Sequence, residues 1–230
     1  MSDRLRVPHL CDGCRATLLI TAISLAVLPL RGQSVRSEAG RILVRDAQGH
    51  ESPITATGRD TLPVLSPQGD LVAFIRRVPG DSVATAYGQA ERTTLWVIRL
   101  DGTGARELSS GAAAATPERS LAGLTMPAFA PDGQMVYVAS AGWVTSGALH
   151  AVTVATGHVR FVCAANGYEV LTRGKYRGYL LVNQHRYRAS GSYDGTWLVA
   201  LSGRRVRLIA LEDAPDASAR LAAARAGRLE

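Results

Sequence analysis

The chain has 230 residues, 47% hydrophobic and 20% charged, with 23 glycines and 10 prolines. This is globular rather than disordered composition, sized for one domain with a real core and rich in turns, which favours many short elements. The formal charge of +7 fits a solvated surface or contact with an anionic partner and excludes neither.

Arg4, Arg6 and Arg15 precede an apolar run from Ala16 to Leu30, followed by Arg31, Gly32, Gln33 and Ser34. A basic start and an apolar stretch of this length read as a secretory leader over residues 1–33, since a spanning helix wants about 20 apolar residues. The alternative is a retained membrane anchor using residues 16–30, because no Ala-x-Ala precedes Gln33. Cys11 and Cys14 lie ahead of that run with no second ligand pair, so they read as incidental. Losing the leader removes four arginines and two aspartates and leaves +5. Cys163 is then the one remaining thiol, read as core from its neighbours Phe161, Val162, Ala164 and Ala165.

Residues 34–210 read as repeated β-hairpins. Pro63-Val64-Leu65-Ser66-Pro67-Gln68-Gly69-Asp70-Leu71-Val72-Ala73-Phe74 aligns without a gap with Pro127-Ala128-Phe129-Ala130-Pro131-Asp132-Gly133-Gln134-Met135-Val136-Tyr137-Val138. In each, a short apolar strand enters a Pro-x-Gly turn and leaves as a strand of β-formers. The copies are 64 residues apart, with insertions expected at Val78–Glu91 and Gly111–Ser120. A second hairpin recurs four times, around Gly49, Gly104, Gly157 and Gly203, spaced by 55, 53 and 46 residues. Four such hairpins predict an all-β, propeller-like array of about four small antiparallel blades. The first copy lacks an inner hairpin, so the sequence allows either a ring closed by its N-terminal strands or a partial array open to self-association.

Ala130-Pro131-Asp132-Gly133 and Ser66-Pro67-Gln68-Gly69 resemble the Pro-Asp-Gly repeats of TolB-like, WD40-like β-propellers of the bacterial envelope, over roughly residues 59–162. That resemblance implies a periplasmic propeller whose faces bind other proteins, and it carries no catalytic residues. TolB-like proteins usually have more blades and a further domain, which this length does not supply.

Arg173, Lys175, Tyr176, Arg177, Tyr179, His185, Arg186, Tyr187, Arg188 and Tyr193 interleave basic and aromatic side chains. Aromatic rings stack on sugars and guanidinium groups pair with anions, so this cluster is the candidate ligand site; the plainer reading is a last blade with tyrosines inward and arginines outward. Residues 211–230 predict a short helix or tail.

Other chemistry finds little footing. No G-x-S-x-G occurs, and in Gly191-Ser192-Tyr193-Asp194-Gly195 the serine falls one position early. His9, His50, His150, His158 and His185 are scattered, and the Asp-Gly pairs at 101, 132 and 194 sit in turns rather than in a D-x-D-x-D loop, so no metal or cofactor is expected. Gly174-Lys175 lacks the rest of a phosphate loop. The expectation is a non-enzymatic, periplasmic or secreted module that binds an envelope protein, with no nucleic-acid role. Two alternatives stand: binding of anionic polysaccharide or peptidoglycan through the basic-aromatic cluster, and an accessory or sensor domain of a hydrolase system.

Overall fold

Four antiparallel sheets follow one another along the chain, as the repeat predicts. The computed structural model describes residues 32–229; residues 1–31, which hold Cys11, Cys14 and all of the leader or anchor but Gly32 and Gln33, lie outside the described residues. Sheet I holds β1 (Ser34–Glu38), β2 (Arg41–Arg45) and β3 (Glu51–Pro53). Sheet II holds β4 (Asp60–Leu65), β5 (Leu71–Thr85), β6 (Gly88–Arg99) and β7 (Arg106–Ser109), and sheet III holds β8 (Thr125–Phe129), β9 (Met135–Trp143), β10 (Ser146–Thr153) and β11 (Val159–Ala165). Sheet IV holds β12 (Gly167–Val170), β13 (Leu180–Arg188), β14 (Gly191–Val199) and β15 (Arg205–Leu211), and one helix follows, α1 (Ala217–Arg225). Within every sheet, strands adjacent in sequence pair as neighbours, the up-and-down order of a propeller blade.

The two Pro-x-Gly copies form matching turns. The Ser66 N–H donates to Leu71 O and the Gly69 N–H to Ser66 O, at 2.8 and 2.9 Å; the Ala130 N–H donates to Met135 O and the Gly133 N–H to Ala130 O, both at 2.9 Å. Upstream, the innermost strands share an irregularity. Leu62 and Met126, each before a proline, take positive φ of 52° and 53°, and the register slips there in both sheets. The Val78–Glu91 insertion forms the far part of the β5–β6 hairpin, with a bulge between Val78 and Ser82. Gly111–Ser120 is an irregular connection between sheets II and III.

Packing runs sheet to sheet. Ile42, Val72, Phe74 and Ile98 join I to II; Ile75, Leu95, Leu124, Val138 and Val152 lie in the cluster between II and III; Tyr137, Leu149, Leu180 and Val182 lie in that between III and IV. The outer turns interlock in register. A side chain on Gly157 would meet Leu108 O at 2.8 Å, and one on Gly203 would run into Val162 O, the carbonyl of the preceding sheet's outer strand in each case. In sheet II this place belongs to Gly102, over Ile54, rather than to Gly104. In return, Arg106 donates to Val154 O of sheet III, and Arg160 to Leu201 O of sheet IV at 2.6 Å.

The two ends of the array are finished differently, which decides between the ring and the partial array. A side chain on Gly49, the equivalent turn glycine of sheet I, would meet nothing within 4 Å among the described residues, so none of the described sheets lies over it. The other face of sheet I is charged: Arg36 pairs with Glu51 at 2.6 Å and with Glu38 at 2.9 Å. Sheet IV instead turns Leu181, Leu198 and Ile209 outward, and these pack with Ala224 and Leu221 of α1. A polar outer face at one end and a helix over the other are how an open array keeps its terminal units soluble. Helix α1 is thus a structural lid on sheet IV.

Candidate binding surface

The ten-residue basic-aromatic cluster is divided by β13. Arg173, Lys175, Tyr176, Arg177 and Tyr179 lie at or before the start of that strand, whereas His185, Arg186, Tyr187, Arg188 and Tyr193 lie on the far half of the β13–β14 hairpin. A nine-residue strand at about 3.3 Å per residue sets its ends about 26 Å apart, so the residues adjacent in sequence do not form one site.

The first group is largely structural. Tyr176 and Tyr179 meet edge to face with centroids 5.3 Å apart and pack into the cluster under α1; Lys175 Nζ lies 5.4 Å from the Tyr176 centroid. Arg177 Nη2 donates to Pro131 O at 3.1 Å, tying the β12–β13 connection to the Pro-x-Gly turn of sheet III. Gln68, which stands in the Asp position of the repeat, donates to Asp132 O at 2.9 Å and ties the turn of sheet II to the same loop. Gly174 lies against Gly227, which holds the loop of Arg173 close to the C-terminal segment.

The second group belongs to a surface built from three sheets. The β5–β6, β9–β10 and β13–β14 hairpins project together and carry Tyr87, Val144 and Tyr187 at or beside their tips, exposed by 67, 72 and 70%. Two contacts tie the tips: the Tyr87 hydroxyl donates to Trp143 O at 3.0 Å, and the Tyr187 hydroxyl to Thr145 Oγ1 at 3.3 Å. Behind Tyr187, His185 stacks edge to face at 4.9 Å and meets Asp194 Oδ1 at 3.1 Å. Arg186 pairs across the hairpin with Tyr193, and Arg188 lies 5.3 Å over the Tyr193 ring. Arg188 and Tyr193 also line a cavity of about 380 Å³ with Ser192, Asp194, Glu212 and Asp213, so the local charge is mixed rather than purely basic. Tyr87 escaped the sequence reading, as did Trp143 and Val144, because they lie in two hairpins more than 50 residues apart, with only the fold to bring them together.

Serine-histidine chemistry has two places to be sought. Ser192 pairs with Tyr187 across the β13–β14 hairpin, while His185 bonds Asp194. Ser140 Oγ and His150 Nε2 are 3.0 Å apart, but both residues are buried and the serine hydroxyl donates to Ser120 O, so the imidazole is left to donate to the serine oxygen. Burial lowers the His150 pKa to about 4, which holds it neutral, and the residue is only 1% exposed. Cys163 is buried as expected, its thiol pushed up to about 11 by desolvation and hence unreactive. Among the described residues no group of three or more His, Cys, Asp or Glu side chains could hold a metal ion, and no helix is long and apolar enough to cross a membrane.

A dipeptidyl peptidase 4 from Porphyromonas gingivalis superposes with TM-score 0.54 at 11% identity, over 78% of this chain and 31% of that one. An oligogalacturonate lyase solved with manganese gives 0.50 at 19% identity, over 76% and 43%. TolB from Acinetobacter baumannii gives 0.49 at 16% identity, over 78% and 40%. The chain has a β-propeller-type fold. It spans less than half the length of each of these proteins, and at such identities the likeness is one of fold alone. No family model and no curated protein matches the sequence.

Proposed function

We propose that this chain is a non-enzymatic, periplasmic or envelope-associated β-propeller module that binds another protein through the hairpin tips of sheets II, III and IV. The observation that carries this reading is the ridge of Tyr87, Val144 and Tyr187, exposed on three adjacent hairpins and braced by the Trp143 and Thr145 contacts. Rigid aromatic side chains beside arginine are what protein interfaces concentrate at their centres, because they bury large area at little entropic cost. The periplasmic placement follows from reading residues 1–33 as a leader.

A second reading, binding of anionic polysaccharide or peptidoglycan, draws on the charge distribution. Residues 154–229 carry 12 lysines and arginines against 5 acids, whereas residues 32–153 carry 10 against 11. An anionic polymer would therefore lie along sheet IV and α1, where Arg204, Arg205 and Arg228 are exposed, rather than on the ridge.

The two readings separate in one capture experiment with envelope extract on the immobilised chain. A protein retained at low and high salt, and lost from a Tyr87→Ala/Tyr187→Ala variant of unchanged melting temperature, supports the ridge. Retention of glycan that falls with salt and with Arg204→Ala/Arg205→Ala/Arg228→Ala, but ignores the tyrosines, replaces it with the second reading. Turnover of an ester or peptide by the purified chain, abolished by Ser192→Ala, contradicts the non-enzymatic assignment.

A further inference from the structure

Sheets II, III and IV each begin with a short innermost strand, β4, β8 or β12, that pairs antiparallel with the next strand of the chain. Among the described residues sheet I has none: it is β1-β2-β3, and β1 pairs only with β2. Two markers set its place in the repeat. Gly49 lies in the outer turn, which makes β2 and β3 the counterparts of β6 and β7, and β1 the counterpart of β5 and β9. The start agrees, since β1 begins two residues after Gly32, as β5 begins two after Gly69 and β9 two after Gly133, and the three glycines take positive φ of 116°, 75° and 72°.

What belongs on the other side of β1 is therefore displayed elsewhere in the same chain. In sheets II and III the position holds an extended segment ending in two apolar residues, Val64-Leu65 and Ala128-Phe129, just before the turn. A strand laid there would meet a core already begun: Val35 of β1 and Leu65 of β4 both pack on the Ile42, Val72, Phe74 and Ile98 cluster. The ion pairs of Arg36 with Glu38 and Glu51 involve side chains, and among the described residues no strand pairs with the edge of β1 away from β2.

We propose that β1 is a strand-acceptor edge, filled in the exported protein by an extended segment of a partner protein that adds antiparallel to β1 and completes sheet I. The partner segment would carry two adjacent apolar residues where sheets II and III carry Val64-Leu65 and Ala128-Phe129, and main-chain hydrogen bonds would supply most of its affinity. This rests on the export reading, in which removal of residues 1–33 or nearly so leaves the chain starting at the edge of sheet I.

The test expresses the whole 230-residue chain, takes the protein from the exported fraction and reads its intact mass. Hydrogen exchange is then followed over residues 34–38, alone and with a synthetic peptide of the sequence of residues 60–69 as probe; the same peptide scrambled is the control. The proposal expects a mass without the leader, rapid exchange along β1 relative to β5, and slowing by about tenfold or more with the probe but not with the scrambled peptide. Slow exchange along β1 without any probe, or none of the slowing, overturns it. The mass reports on export separately. If the leader is retained and β1 is already protected, the edge is filled from within the chain and the proposal falls; if it is retained and β1 still exchanges quickly until the probe arrives, the acceptor edge stands and only the export reading fails.

Discussion

His150 ties stability to pH in a way that can be worked through from its surroundings. It is 1% exposed, its Nε2 bonds Ser140 Oγ and its Nδ1 has no hydrogen-bond partner, so a second proton on the ring would be buried without an acceptor. Desolvation lowers its pKa from 6.5 to about 4. Because the folded value lies below the unfolded one, the unfolded chain takes up the proton first: the contribution to stability is full above pH 6.5, is lost as the pH falls toward 4, and changes no further below that. A shift of that size at 1.36 kcal/mol per unit amounts to about 3 kcal/mol, a large part of a typical domain's 5–15 kcal/mol. Urea denaturation of wild type and of a His150→Gln variant, whose amide can still donate to Ser140, isolates this group from the carboxylates that titrate in both. Wild type should lose about 3 kcal/mol more than the variant across that window. Parallel pH curves for the two proteins would show that His150 does not carry the coupling.

Two further outcomes follow from the core and from the lid. Arg76 makes a bidentate ion pair with the fully buried Asp60 at 2.6 and 3.0 Å and lies 4.2 Å over the Trp96 ring; Arg76→Ala strands a buried carboxylate and should cost about 3–5 kcal/mol by denaturant titration, while loss of under 1 kcal/mol would mean the pair is solvated in solution. Ending the chain after Glu212 removes α1 and uncovers Leu181, Leu198 and Ile209, so light scattering should find the shortened chain associating more than the full chain does; a shortened chain with unchanged mass and melting temperature would deny α1 its role as a lid.

Much of the architecture was legible because its determinants are local. A Pro-x-Gly turn or an outer-turn glycine acts within a few residues, so the aligned copies at Pro67 and Pro131 and the glycines at 49, 157 and 203 located the hairpins directly. Whether the ring closes is a different kind of question, decided by what lies over Gly49 and over Leu198, and neither contact is written in the neighbouring sequence. The basic-aromatic cluster misled for a related reason. Arg177 and Tyr187 are close in the chain, but an extended strand carries its two ends far apart, and the companions of Tyr187 turned out to be Thr145 and, through the same hairpin tips, Tyr87.

The openness of the array is tested most directly by placing the same side chain in equivalent turns at its end and in its interior. Gly49→Ala adds a methyl group where none of the described residues lies within 4 Å, so its cost should be the left-handed backbone strain alone, about 1–2 kcal/mol. Gly203→Ala adds the same strain and also drives the methyl into Val162 O, so the loss of stability should be clearly larger, with Gly157→Ala against Leu108 O behaving likewise. Equal losses at Gly49 and Gly203 would mean that another sheet packs over Gly49 in solution, and that the chain closes into a ring after all.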